Sequence, residues 1–218
     1  MLHDHPRATA APVLEPLGAD LPTHRLPANL IPVPVVKQVT DFSCGAAAAL
    51  SLLRLWRWES YADVEETALH DALQTTDAQG TEPEPIAEYL SVAAHLRAEY
   101  RHGDVTLAQL QAAVDRGEPP IVDLQAWRDR DRPWRDTWDA GHYVVLVGYD
   151  AERLFVMDPS VLTPGGYAFF PVAELDERWH DLAGPHEVPV ERMSIFVPAA
   201  GIRWRPSEVV GGLATRLR

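Results

Sequence analysis

Apolar and small residues recur at helical spacing from Cys44 to about Trp58, small at first and then large at Leu50, Leu53 and Trp56. The stretches "YADVEETALHDAL" (61–73) and "EPIAEYLSVAAHL" (84–96) predict two further helices, the second opened by Pro83 or Pro85 near its first turn. A fourth is predicted over "TLAQLQAAVDRG" (106–117), with Thr106 as N-cap and Gly117 as its stop. After residue 118 the pattern changes to strands. "PPIVDLQAW" is a candidate and "HYVVLVGYD" a stronger one, and "RLFVMD" follows after a turn-like "DAE", so the last two predict a β-hairpin. "GGYAFF" adds a short strand, "PVAELDERWHDL" a short helix and "RMSIFVP" a last strand. Helices first and strands later is the order of an α+β fold, not of alternating βαβ units.

The chain divides unevenly. Residues 1–31 are read as a proline-rich N-terminal arm, 32–198 as one domain and 199–218 as a C-terminal tail. Seven of the nineteen prolines lie within the first 34 residues, and "LIPVPVV" is read as an irregular strand along the domain surface. The connection "WRDRDRPWRDTWDA" (127–140) is long, charged and rich in tryptophan, and it joins two core strands. Connections of that length are functional or disordered as a rule, and three tryptophans argue against disorder. Two roles stay open for it: anchoring a peptide, or packing on the domain.

Composition narrows the partners. With 218 residues the chain can bury one substantial core. A net charge of −13 leaves no excess of Lys and Arg to neutralise phosphates, so nucleic acid is not expected, nor an anionic membrane surface. No apolar run is long enough to span a bilayer, and the N-terminus does not read as a secretory signal. A single cysteine excludes an intrachain disulfide and a multi-cysteine metal site. The expectation is a cytoplasmic protein of one domain.

That cysteine carries the candidate chemistry. "TDFSCGAAAA" puts Cys44 at the first turn of a helix, where unpaired backbone N–H groups and the helix dipole favour a thiolate over a thiol. A lone cysteine is more often a small buried hydrophobe, so its neighbours must decide. Gln38, six positions earlier, is a candidate second donor to an oxyanion beside the Cys44 backbone N–H. His142 leads an apolar strand directly after a glycine, an odd place for a packing residue and a good one for a base. Asp158 ends the next strand, and a hairpin returns it to the His142 end, where a carboxylate orients an imidazole. Each residue has a bland alternative: a solvated loop amide, a core histidine, an Asp-Pro turn.

Taken in order, "QVTDFSCGAAAALSLL", "GHYVVLVGYD" and "VMDPS" resemble the bacterial cysteine peptidases that remove leader peptides after a double glycine. The resemblance covers roughly residues 32 to 198. It implies a papain-like fold, with the nucleophile helix packed on an antiparallel sheet, and no cofactor or metal. It also implies Gln38 for the oxyanion hole, Cys44 as nucleophile, His142 as base and Asp158 as its orienter. The implied partner is a peptide or protein substrate, such as a ribosomal precursor peptide. Many members are fused to a membrane ABC transporter, and this chain shows neither membrane helices nor a phosphate-binding Gly-rich loop. Two other readings use the same residues: an acyltransferase passing the acyl group to an amine, and a catalytically silent peptide-binding domain.

Overall fold

The computed structural model describes residues 22–129, 131–184, 186–198 and 212–217. In chain order it runs β1 (Thr23–Arg25), α1 (Cys44–Trp56), α2 (Trp58–Tyr61), α3 (Pro83–Val92), β2 (Glu99–Arg101), α4 (Leu107–Asp115), β3 (Ile121–Gln125), β4 (Gly141–Tyr149), β5 (Arg153–Met157) and β6 (Tyr167–Pro171). There follow α5 (Leu175–Arg178), β7 (His180–Ala183), β8 (Val188–Glu191), β9 (Ser194–Phe196) and β10 (Leu213–Arg216). Eight strands form one sheet in the order β1-β10-β6-β5-β4-β3-β9-β2, and β7 and β8 pair separately. Within the large sheet only β10 and β6 run parallel. The α+β expectation holds.

Burial explains the central elements. Eleven of the thirteen residues of α1 are buried, Gly45 to Leu53 together with Leu55 and Trp56, as expected of a helix that is apolar all round. Its four consecutive alanines carry no bulk, so neighbouring elements approach closely, and a Cβ on Gly45 would lie 2.7 Å from Thr81 Cβ. Leu50, Leu52 and Leu53 are fully buried and each contributes about 1.5–3 kcal/mol. Strand β4 is buried along its whole interior, hence its unbroken apolar run in place of alternation.

Helix ends follow local chemistry. Thr106 and Gln109 form a capping box at the start of α4, and Gly117 takes a left-handed φ of 74° at its end. The predicted helix over 61–73 is not one: the chain makes α2, then a 3-10 turn at Glu66–Leu69. Arg54 explains part of this, because its guanidinium takes the carbonyls of Tyr61 (3.3 Å) and Val64 (2.9 Å), which a continuous helix would need for its own N–H groups. Helix α3 stops at Val92, four residues short of the prediction, where His95 turns left-handed and the Leu96 N–H reaches back to Leu90.

Residues outside the strongly patterned region also join the sheet. The described part of the proline-rich arm supplies β1, and the described part of the tail supplies β10 between β1 and β6. "LIPVPVV" makes no strand but is buried at Ile31, Val33 and Val36, with the Ile31 N–H bonded to Val147 O at 2.7 Å. The 127–140 connection contains a 3-10 turn at Trp134–Asp136, and it packs on the domain. Trp134 is buried, with Arg178 over its ring at 3.9 Å and Arg128 at 4.9 Å. Trp138 lies 4.2 Å from the His180 ring.

Candidate active site

Strand register places the base. In the β3–β4 pair Leu124 faces His142, and the β4–β5 hairpin returns the chain so that Asp158 follows Met157 beside it. His142 Nε2 and Asp158 Oδ1 are 2.7 Å apart, and both residues are buried, at 1% and 0% exposure. Cys44, half-buried at the first residue of α1, lies close enough to the same imidazole for its side chain to raise the pKa of His142. With Nε2 engaged by Asp158, Nδ1 is the nitrogen left for sulfur. Three of the four sequence candidates therefore meet.

Burial disfavours a charged His142, but the Asp158 charge, its hydrogen bond and the Cys44 side chain outweigh that and raise the imidazole to about 10. Asp158 shows the reverse balance. Burial pushes its carboxyl up, yet His142, the Thr163 hydroxyl and the Ser160 N–H hold it below the ordinary value. Oδ1 accepts from Ser160 N at 2.8 Å, and Oδ2 accepts from Thr163 Oγ1.

Gln38 is placed differently. Its backbone N–H bonds Pro159 O at 3.0 Å, tying it to the Asp158 turn, while its side-chain Nε2 donates to Thr40 O at 2.7 Å. Its Oε1 is buried without a hydrogen-bond partner. No side chain caps α1, since the hydroxyl of Ser43 accepts from Thr40 N instead. The first N–H groups of the helix, that of Cys44 among them, are thus not spent on a cap.

Sequence reasoning missed four supports. Lys37 donates to the carbonyl oxygens of Asp158, Ser160 and Thr163 at 3.1, 2.5 and 2.9 Å, pinning the turn that carries the carboxylate. A lone lysine ending an apolar run was the available signal. Trp127 packs its ring 4.7 Å from that of His142 and covers the imidazole. Asp123 and Asp181 form a second acidic pair near the thiol, and a charge inside the apolar "IVDLQ" was the sign of it. Among the described residues no group of His, Cys, Asp and Glu could hold a metal. Nor is any helix among them long and apolar enough to cross a membrane.

An antiparallel sheet beside a buried helix that opens on cysteine, with histidine and aspartate supplied by a hairpin, is the architecture of papain-like cysteine peptidases. Residues 30–185 match the Peptidase_C39-like family, and the chain belongs to it. A solved C39-like peptidase from Bacillus anthracis is similar over 80% of this chain and 98% of its own, at 16% identity and a TM-score of 0.57. The peptidase domain of Streptococcus ComA, a bifunctional ABC transporter of a quorum-sensing pathway, is similar over 76% and 97%, at 17% identity and a TM-score of 0.51. No curated protein sequence is similar enough to match.

Proposed function

We propose that this chain is a cysteine peptidase that cleaves its substrate through a thioester acyl-enzyme. One observation carries the reading: a buried imidazole, bonded to a buried carboxylate, lies beside the chain's one cysteine. Cys44 sulfur attacks the scissile carbonyl carbon, forming S–C while the C=O electrons move to oxygen. The Cys44 backbone N–H, and the Gln38 Nε2 hydrogen not given to Thr40, stabilise that oxyanion. His142 delivers its Nδ1 proton to the leaving amine as the C–N bond breaks, and Asp158 keeps the imidazole oriented throughout. Water then adds to the thioester, His142 takes its proton, and the thiol leaves with the acid released.

Access suggests the substrate. His142 is buried beneath Trp127 and Cys44 is only half-exposed, so the chain entering beside the thiol must be thin. Small residues such as Gly-Gly before the scissile bond suit such an entry, and the family match supports a peptide leader as substrate. The test uses synthetic peptides with Gly-Gly or Leu-Leu before the bond, incubated with wild type and with Cys44→Ala. The reading expects cleavage after Gly-Gly by wild type only, with an acyl-enzyme mass on Cys44 in rapid quench. Cleavage by Cys44→Ala, or none by wild type on any peptide, overturns it.

A further inference from the structure

Gln125 ends β3 and is fully buried. It pairs with Gly141 across the β3–β4 register, one step from the Leu124–His142 pair. Paired residues share a face and faces alternate along a strand, so Gln125 points away from the face that carries the imidazole. Its amide is used completely. Oε1 accepts the Ala140 N–H at 2.9 Å, and Nε2 donates to His180 O and Asp181 Oδ1, both at 3.0 Å. The partners fix the orientation of the amide, since only its oxygen can take an N–H and only its nitrogen can serve a carbonyl. Arg178, with no exposure, donates from Nε to Gln125 O at 2.7 Å and from a terminal nitrogen to Ala126 O at 3.3 Å. Ala126 N in turn bonds Ala140 O at 2.9 Å. Both main-chain polar groups of Ala140 are therefore bound just ahead of His142. Gly141 has no room for a side chain: a Cβ there would lie 1.7 Å from Asp181 Oδ2, and Gln125 holds that carboxylate in place. That accounts for the glycine immediately before His142.

We propose that Gln125 is a positioning residue for His142: its side chain fixes the Ala140–Gly141 main chain and so sets where the imidazole stands relative to Asp158 and Cys44. The inference rests on the Cys44–His142 reading of the site and deepens it. Gln125 acts from the opposite face of the sheet, through main chain alone. The long connection leaves after Ala126 and returns at Ala140, so this clamp closes its base and steadies the start of β4 against it. A catalytic group misplaced by about 1 Å can lose about a hundredfold in rate, so a main-chain bond this close to the base is enough to matter. Glutamine suits the position because it gives and accepts at once. An apolar side chain would orphan the Ala140 N–H, and an ionised carboxylate would face the His180 carbonyl and the Asp181 carboxylate with nothing to donate.

Reactivity should follow the bond to Ala140 rather than stability. Gln125→Leu offers that N–H no acceptor, and alkylation of Cys44 by iodoacetamide at about pH 7 should slow roughly tenfold to a hundredfold. Gln125→Glu keeps an oxygen for the N–H whether or not it ionises, but loses at least one donated bond. It should melt below wild type and still alkylate within about threefold of it, both variants being measured below their melting transitions. In proton NMR the His142 imidazole N–H bound to Asp158 should keep its wild-type resonance in Gln125→Glu and shift or broaden in Gln125→Leu. Should Gln125→Leu not fold, Gln125→Asn, one methylene short of Ala140, takes its place with the same expectation. Wild-type reactivity in the folded Leu or Asn variant would mean that Gln125 only stabilises the fold, and would overturn the proposal. A loss in Gln125→Glu as large as in Gln125→Leu would overturn it too, because the bond to Ala140 would then not be what matters. Should wild-type Cys44 react no faster than free cysteine, the peptidase reading fails by itself, and the imidazole resonance still decides whether Gln125 positions His142.

Discussion

Replacing Asp158 by asparagine removes one charge and almost no volume. The native carboxylate takes three bonds, from His142 Nε2, the Ser160 N–H and the Thr163 hydroxyl, in a site with no exposure. An asparagine oxygen can still accept from Nε2–H, so a neutral imidazole survives in place. The imidazolium does not, because it keeps its burial cost and loses its counter-charge. Breaking a buried ion pair from one side costs about 3–5 kcal/mol. Applied to a step that needs imidazolium, this is about a 10²- to 10⁴-fold loss in kcat/KM. The assay pairs turnover with ¹⁵N NMR of the imidazole. Wild-type His142 should carry protons on both nitrogens at about pH 8, given its rise to about 10, whereas the variant should be neutral there. Wild-type turnover in the variant, or an imidazole already neutral at that pH in wild type, would refute the argument.

Other expectations follow from neighbouring contacts. Trp134→Ala empties a buried site and strips Arg178 of the ring 3.9 Å from it; the cost should be about 3–5 kcal/mol, a fall in Tm of roughly 6–20 °C, with Cys44 reactivity unchanged below the transition. Lys37→Met leaves the Asp158, Ser160 and Thr163 carbonyls without their shared donor, and should lower kcat by about tenfold or more while KM stays within a factor of about two. The pH dependence of stability has two edges. Asp158 is held below 3.8, so its contribution is present above that value and is lost as pH falls through its lower folded one. His142 is raised from 6.5 to about 10, so its contribution is complete below 6.5 and is lost as pH climbs through about 10. Thermal melts of wild type should therefore show both edges, and those of Asp158→Asn neither; an alkaline edge unchanged in the variant would contradict the assignment.

The parts legible in the sequence are those where local chemistry and tertiary packing agree. Thr106 and Gly117 mark α4 because cap and stop act within one turn of chain. His142 and Asp158 were legible together because a hairpin fixes which strand ends meet, and that geometry is short-range in sequence, whereas Cys44 was legible by its place at the start of α1. Lys37 was not, since its partners lie more than 120 residues away and nothing near it hints at three carbonyls. Asp123 shows in the sequence only as a charge inside an apolar strand, and its neighbour Asp181 not at all, because only packing of β7 beside β3 brings the two near each other. The helix predicted over 61–73 is lost to a nearby competitor, the Arg54 guanidinium seven and ten residues before the carbonyls it takes, which periodicity does not register. β1 and β10, three and four residues long, owe their existence to the free edge of β6 rather than to their own propensity.

The account stands most directly on the thiol and imidazole acting as one unit. Alkylation of Cys44 by iodoacetamide, followed by intact mass from about pH 5 to about pH 9 for wild type and His142→Ala, measures that unit without any substrate. Wild type should react far faster than free cysteine at about pH 6, while His142→Ala should react no faster than free cysteine across the range. Superimposable profiles for the two proteins would mean that His142 does not activate Cys44, and the proposed peptidase mechanism would fall with it.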